Sequence, residues 1–461
     1  NILCLCAALY FMFESIRERE SRATYFGMAG AIFHLLLIPV IIWVPFLKVP
    51  ITILFCLYIL GFIACCVPGR LDPRALKGSM GHVVGEVKRF DERDTVFTRI
   101  EGLQSHPEID QFQEYYQRHP EFKEYDEKRI DGGFPVGPPG TIDHYYPPTK
   151  AMTEANWNMC LFIGDQPVVE PSPEAGKNTL PPEKTTEIVK EFVLHLGADL
   201  VGVCKVNPLW AYTHRGEIPY DKAEYGKKLP EPLPFAVVFA VEMGYEHVST
   251  APHTPAVAES ITQYCKGEFI STILAQWFSL MGYYARAQHF LHYDHIMVPV
   301  AVDAGLGELG RQGYLISPKS GCRVRVFATT TDMPLVPDKP ISIGVDAFCR
   351  RCKKCATSCP SRAIPLEEKT VHNGVEKWKL DEQSCYTFWG KVGTDCAICM
   401  SICPFSRPDN PLHRLVRWIV ARSPLAQMIF PQIDRIIYGK RWSPKKISSW
   451  LDFPREAKEV Y

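Results

Sequence analysis

Two runs of cysteine, near residues 350 and 400, carry the plainest chemistry in the chain. Cys349, Cys352, Cys355 and Cys359, followed by Pro360, follow the spacing C-x2-C-x2-C-x3-C-P. Thiolates at i, i+3 and i+6 on a tight loop can reach three irons of one cubane; in two-cluster ferredoxins the fourth, before the proline, ligates the other cluster. A second run follows as Cys385, Cys396, Cys399 and Cys403 with Pro404. Three residues before Cys396 stands Gly393, so Cys385 is expected to arrive from a longer loop. The expected division is Cys349, Cys352, Cys355 and Cys403 on one [4Fe-4S] cluster, with Cys359, Cys385, Cys396 and Cys399 on the other. Zinc fits less well, because structural zinc sites pair C-x2-C with a distant second pair. Disulfides need an oxidising compartment.

Such ligands need a scaffold, and composition bounds it. The 461 residues hold 51 basic and 51 acidic side chains, with no basic block, so nucleic acid is not an expected partner. Of the 17 cysteines, those outside the two runs are Cys4, Cys6, Cys56, Cys65 and Cys66 in an apolar N-terminus and the scattered Cys160, Cys204, Cys265 and Cys322. No secreted disulfide framework is visible, which points to a reducing compartment.

Residues 23–46 and 49–67 are two nearly uncharged stretches, each close to the ~20 residues that cross a bilayer. Residues 2–13 read as the end of an earlier span, and with Asn1 in place of Met, further sequence upstream is expected. Arg17, Arg19 and Arg22 precede the pair, Arg70, Arg74, Lys77, Lys88 and Arg89 follow it, and only Lys48 lies between. The positive-inside rule then places the remainder on the cytoplasmic face of the inner membrane.

The expected organisation is transmembrane helices over 1–67, an extended wrapping segment over 68–180, an α/β core over 181–345, a two-cluster domain over 346–408 and a tail over 409–461. Residues 182–197 read as a helix begun by proline and ended by glycine. Strands are expected at 199–206, 235–243, 295–305 and 323–333. A long helix over 256–282 has Phe269, Ile273, Trp277 and Leu280 on one stripe. No G-x-G-x-x-G opens a helix after a strand, so a nicotinamide or flavin Rossmann site is unsupported. The glycine-rich "DAGLGELGRQG" (303–313) lacks Walker spacing; it reads either as an ordinary turn or as backbone brought close to a large flat ligand.

The ordered blocks "FAVVFAVEMGYEHVSTAPHTP", "MGYYARA", "VDAGLGELGRQGYLISPKSGCRVRVFATTTDMPL" and the double cysteine run resemble corrinoid-dependent reductive dehalogenases over residues 180–408. That resemblance implies a nitroreductase-like α/β domain holding base-off cobalamin, beside a ferredoxin-like domain with two [4Fe-4S] clusters. It implies two-electron removal of halide from an organohalide. The chain lacks the D-x-H-x2-G element that supplies a histidine ligand to cobalt in other corrinoid proteins, which suits an open cobalt face. Cleaving C–X with two electrons leaves carbanion character, which needs a proton. By resemblance the proton donor is Tyr264, its cationic partner Arg325 with Arg323 as the alternative, and a third position His292 with His289 as the alternative. The relatives have Asn or Lys at that third position, so a histidine there is a departure. Gly305, Gly307, Gly310 and Arg311 are the expected cobalamin contacts. Two other readings compete: an epoxyqueuosine-reductase-like enzyme, which carries R-D-Y-H where this chain has "TQYCKGEF", and a membrane-tethered diferredoxin that only passes electrons. Under the dehalogenase reading the electron donor is external, a membrane redox protein, a ferredoxin or a flavodoxin.

Overall fold

The computed structural model describes residues 1–105, 110–130, 147–164, 167–216, 224–290 and 292–451. Part of the expected wrapping segment, 131–146, lies outside the described residues. Helix α1 (Ile2–Arg17) turns back through residues 18–20 into α2 (Ser21–Trp43), and α3 (Lys48–Cys66) returns. Ala23, Gly27 and Ala31 form the buried stripe of α2, and a Cβ at Gly27 would meet the Met12 backbone at 2.7 Å. Small residues at i, i+4 and i+8 thus let α1 and α2 touch closely, as in membrane helix pairs. Helices α2 and α3 are long and apolar enough to cross a membrane, and α3 buries none of its residues against protein.

Helices α4 (Val96–Ser105), α5 (Asp110–Arg118), α6 (Pro120–Ile130) and α7 (Pro147–Gly164) follow, with α7 packed along the central helix described next. Helix α8 (Pro182–His195) leads into the core sheet of β1 (Leu200–Lys205), β2 (Phe235–Glu242), β3 (Ala285–Gln288) and β6 (Val324–Thr331). The order is β1-β2-β6-β3, and every neighbouring pair is antiparallel. Val237, Phe239 and Val241 face α8 and α10 (Thr254–Leu280), where Ile270, Leu274 and Phe278 meet them. Ala236, Val238 and Ala240 face the opposite layer with α11 (Met297–Asp303). A strand buried on both faces reads as a continuous apolar run, which is why β2 shows no polar alternation. Each fully buried aliphatic or phenyl side chain contributes roughly 1.5–3 kcal/mol. The short α9 (Tyr245–Val248) joins β2 to α10, and β4 (Glu308–Leu309) pairs with β5 (Leu315–Ile316).

Three expectations change here. Residues 297–303 form helix α11 rather than a strand, because Pro299 would cost a central strand a ladder hydrogen bond but sits freely in a first helical turn. The strand β3 over 285–288, at the sheet edge beside β6, carries no strong sequence signal. The stripe Phe269, Ile273, Trp277, Leu280 is not the core face of α10: Phe269 and Leu280 are exposed, and the sheet takes Ile270, Leu274 and Phe278 instead. A helix apolar nearly all round offers two plausible inner faces, and tertiary packing chooses. Gly267 fixes the choice, since a Cβ there would stand 2.0 Å from the Phe327 ring of β6.

The cysteine-bearing part comprises α12 (Val345–Cys352), α13 (Lys354–Ser358), the hairpin β7 (Thr370–His372) and β8 (Val375–Lys377), α14 (Glu382–Val392) and α15 (Ile398–Ser401). Cys385 comes from α14 rather than from an extended loop. Asp381 caps that helix by accepting from the Ser384 N–H at 3.0 Å, and Gly393, at φ 70°, ends it. Helices α16 (Pro411–Arg422) and α17 (Pro424–Tyr438) close the chain, and α17 packs against α12, α2 and α3.

Candidate active site

The two cysteine runs fold as near repeats. Cys352-x-x-Cys355 and Cys396-x-x-Cys399 each place their second residue, Lys353 (φ 53°) and Ala397 (φ 53°), in the left-handed region that non-glycine residues rarely occupy. Each such turn opens a short helix, α13 or α15. Burial, then the neighbouring Cys403 thiol, pushes Cys349 up; burial, then Cys349 and Cys352, does the same to Cys355. In the other group burial, then Cys359, raises Cys385 to about 12, and burial, then Cys396 and Cys385, raises Cys399. The thiols therefore crowd one another, Cys349 with Cys403 and Cys385 with Cys359, and Cys399 neighbours Cys355 as well as Cys396 and Cys385, across the two expected sets Cys349/352/355/403 and Cys359/385/396/399. Cys359, Cys385, Cys396 and Cys399 together line one cavity. No three His, Cys, Asp or Glu among the described residues converge tightly enough to hold a single metal ion. Sulfurs gathered around a space, rather than onto a point, fit a cubane.

Across that cavity stands a polar wall. Gln312, Tyr314, Arg325 and Asp395 line it with the second set of cysteines. The strand alternation of β6 turns Arg325 and Phe327 toward α10. There the Arg325 guanidinium lies 4.7 Å from the Tyr264 ring centroid, and its Nη2 reaches Asp395 Oδ2 at 3.3 Å and donates to Ser260 Oγ. Ser260, one helical turn before Tyr264, also donates to Asp395 at 2.6 Å. Tyr264 packs on Phe290, with ring centroids 4.4 Å apart, and edge-on to Phe327 at 6.1 Å. Burial raises Asp395, while Arg325 draws it back down. Burial, then the Cys399 and Cys385 thiols, holds the Tyr314 phenol well above its ordinary range, and Arg325 and Tyr264 are also among its neighbours. Three buried polar atoms of this wall, Gln312 Nε2, Arg325 Nε and Asp395 Oδ1, have no hydrogen-bond partner among the described residues. A buried polar group without a partner is costly, so a wall holding three fits a bound group that supplies the missing partners.

The other expected residues take different places. Arg323 is fully buried and donates Nε to Ser406 O, Nη1 to Met243 O and Nη2 to Glu242 at 3.0 Å, bracing the sheet against the cysteine domain. His292 accepts from Arg286 at 2.8 Å through Nδ1, and burial followed by Arg286 holds it well below the usual histidine range. It is a neutral ring, and its neighbour His289, 5.5 Å away, shares a hydrogen bond with Glu268 at 3.1 Å. Gly305, Gly307 and Gly310 sit where protein crowds the side-chain direction: a Cβ at each would strike Lys339 O (2.6 Å), Ile316 O (2.2 Å) or Gln312 Oε1 (2.8 Å). Arg311 is fully buried, and its Nη2 has no hydrogen-bond partner among the described residues. It donates to the carbonyls of Cys349 (3.2 Å), Pro365 (2.7 Å) and Glu367 (2.9 Å) and stacks 4.4 Å over Trp378, so it clamps the first cysteine loop. Asp395, Ser260, Tyr314 and Phe290 escaped the sequence reading. Only Asp395 offered a signal, a lone acid directly before Cys396.

Fold and site together define a dicluster iron–sulfur domain docked on an α/β domain with a half-buried tyrosine–arginine pair at their junction. Residues 348–406 match the 4Fe-4S dicluster domain family. The chain resembles reductive dehalogenases in both sequence and fold. It is 32% identical over 297 residues to tetrachloroethene reductive dehalogenase from Sulfurospirillum multivorans, covering 57% of this chain and 59% of that one. The solved catabolic reductive dehalogenase NpRdhA, in complex with 3-bromo-4-hydroxybenzoic acid, superposes with a TM-score of 0.62 at 28% identity, covering 78% of this chain and 49% of that one. A second solved reductive dehalogenase, described as acting by B12-dependent dehalogenation, gives a TM-score of 0.62 at 26% identity, covering 82% and 53%. The chain thus spans about half the length of these relatives.

Proposed function

We propose that this protein is a reductive dehalogenase, removing halide from an organohalide by two-electron reduction at cobalamin fed by two [4Fe-4S] clusters. The observation that carries the reading is the buried Arg325 guanidinium, 4.7 Å from the Tyr264 ring, on a wall shared with four cysteines. When bound, cobalamin supplies a low-valent cobalt that draws halide from carbon, and Tyr264, Tyr314 and Arg325 are the residues that would face it.

Tyr264 supplies the proton that the departing halide leaves wanting. A phenol, with an ordinary pKa near ~10, gives up its proton reluctantly. Arg325 offsets that by stabilising the phenolate as it forms. Ser260 and Asp395 hold the guanidinium in place. Phe290 and Phe327 hold the phenol ring and exclude water from it. His292, neutral and fixed by Arg286, shapes the pocket beside Phe290 rather than donating a proton.

Helices α2 and α3 anchor the chain in the inner membrane, and the arginine asymmetry around them places the dicluster domain in the cytoplasm, where a membrane redox protein, a ferredoxin or a flavodoxin delivers electrons. The test is reconstitution of the purified chain with cobalamin and iron, followed by a screen of aryl and alkyl halides under a low-potential reductant. Halide release that needs cobalamin is expected. Absence of release from every class, with both clusters and cobalamin bound, would refute the assignment.

A further inference from the structure

A second cavity, which the proposed chemistry does not use, lies against the first cysteine set. Its volume is about 550 Å³, and its walls are the turn between α1 and α2, the loops carrying Lys354, Ser401 and Ile402, and the segment after α17. Seven basic side chains line it, against the single carboxylate of Glu20. Four of the seven are already matched. Arg407 and Lys445 hold Glu20 at 3.1 and 2.5 Å, Lys354 and Arg407 hold Asp434, and Arg19 holds Glu246 at 2.5 Å. Arg22, Arg441 and Lys446 have no carboxylate partner among the described residues. Arg22 commits only its Nε, to Ile436 O at 2.8 Å, which leaves both terminal nitrogens. The cavity also contains the start of α2, a 23-residue helix whose first turn receives no side-chain cap from Glu20. Open N–H groups at a helix start add partial positive charge.

The placement of the cavity narrows which anion would suit it. Ser21 and Arg22 line the cavity, and the next twenty residues of α2 run outward as an apolar helix with little protein cover. Trp442, an amphipathic ring of the kind found at bilayer surfaces, lines the same cavity. The cavity therefore lies at the level where α2 enters the bilayer. Resting on the membrane-anchor reading, we propose that it binds the phosphate of an anionic membrane phospholipid, with Arg22, Arg441 and Lys446 as the cationic contacts. Basic pockets at the feet of membrane helices are suited to such headgroups. Lys354 lies between Cys352 and Cys355, so a lipid held here touches the loop of the first set directly.

The full chain, purified in mild detergent with its clusters, would be exchanged into nanodiscs of phosphatidylcholine alone or with phosphatidylglycerol, and retained lipid counted by native mass spectrometry. Wild type is expected to keep about one phosphatidylglycerol per chain. Each basic side chain near an anionic surface is worth roughly a factor of five, so the triple variant Arg22→Gln, Arg441→Gln, Lys446→Gln should bind it about a hundredfold more weakly. Unchanged cluster absorbance checks that this variant folds, and Arg22→Lys with the other two intact should retain most binding. Equal retention of phosphatidylcholine, or full retention by the triple variant, overturns the site. So does displacement of the lipid by millimolar inorganic phosphate, which would mark a free-phosphate site. Release of the chain from membranes by alkaline carbonate would overturn the anchor as well, which separates the two failures.

Discussion

The two cysteine sets share a turn geometry and differ in everything around it. Cys349, Cys352, Cys355 and Cys403 are buried under cations: Arg311 clamps the Cys349 carbonyl, Arg435 donates to the Cys352 carbonyl, and Lys354 pairs with Asp434. Cys359, Cys385, Cys396 and Cys399 are less enclosed and border Tyr314, Arg325 and Asp395. One set lies on the side of α17 and the apolar helices α2 and α3, and the other faces the tyrosine–arginine wall. Pseudo-symmetric ligand loops have thus been given opposite neighbours. Cluster potential responds to charge, hydrogen bonds and solvent access, so the two should be spectroscopically distinct. On the proposed function, the first set receives electrons and the second delivers them.

The largest effect should come from breaking one set alone. Cys385→Ser is expected to lower iron from about eight to about four per chain and to abolish turnover, while the first cluster keeps its reduced electron paramagnetic resonance signal. Cys352→Ser should remove the other signal instead. If both signals survive in either variant, the division of ligands is wrong. Next in size is Tyr264→Phe, which should cost about 10²–10⁴-fold in turnover with cobalamin and both clusters retained. A loss below about tenfold would return Tyr264 to a packing role. Arg325→Met should follow, and Arg325→Lys should be milder, because charge survives although the planar fork to Ser260 and Asp395 does not. Combined with Tyr264→Phe, the Arg325→Met loss should be far from additive, as double-mutant kinetics can check.

The smallest effect concerns the support of the first set. Glu308 accepts from the Ile343 N–H and, at 3.5 Å, from the Val345 N–H at the start of α12, the helix of Cys349 and Cys352. Burial raises its pKa to about 7. A carboxyl raised on folding binds its proton more tightly in the native state, so stability falls as pH rises from the unfolded value near ~4.3 toward 7. Glu308→Gln should flatten that part of the stability curve. In wild type, mild heating at pH 8 should release the first cluster's iron before the second's, and equal release would remove Glu308 from the comparison.

The two sides of this comparison were not equally legible in the sequence. Ligands three residues apart form a local pattern, so the dicluster domain could be read from spacing alone, as could helix α8 and strands β1, β2 and β6. The wall could not. Arg325 and Asp395 are 70 residues apart, and Ser260 lies 65 residues before Arg325, so no window of sequence contains their contact. Tyr264 and Arg325 were paired only through resemblance to a family. Arg311 shows the converse difficulty: an arginine in a glycine-rich loop resembles a ligand contact, and the loop alone could not reveal that it also donates to backbone carbonyls 38 to 56 residues later. Helix α11 was misread because an apolar run of seven residues suits strand or helix, and Pro299 was the deciding residue.

Gly267 stands three residues beyond Tyr264, and the ring it admits, Phe327, stands two beyond Arg325. The absence of one methyl group therefore works as a gauge block between Tyr264 and Arg325. A side chain at position 267 would lift α10 off β6 and lengthen the Tyr264–Arg325 distance without altering either residue. On the proposed function, the Tyr264–Arg325 spacing is thus adjustable from position 267, and selection or engineering could use it to set the rate.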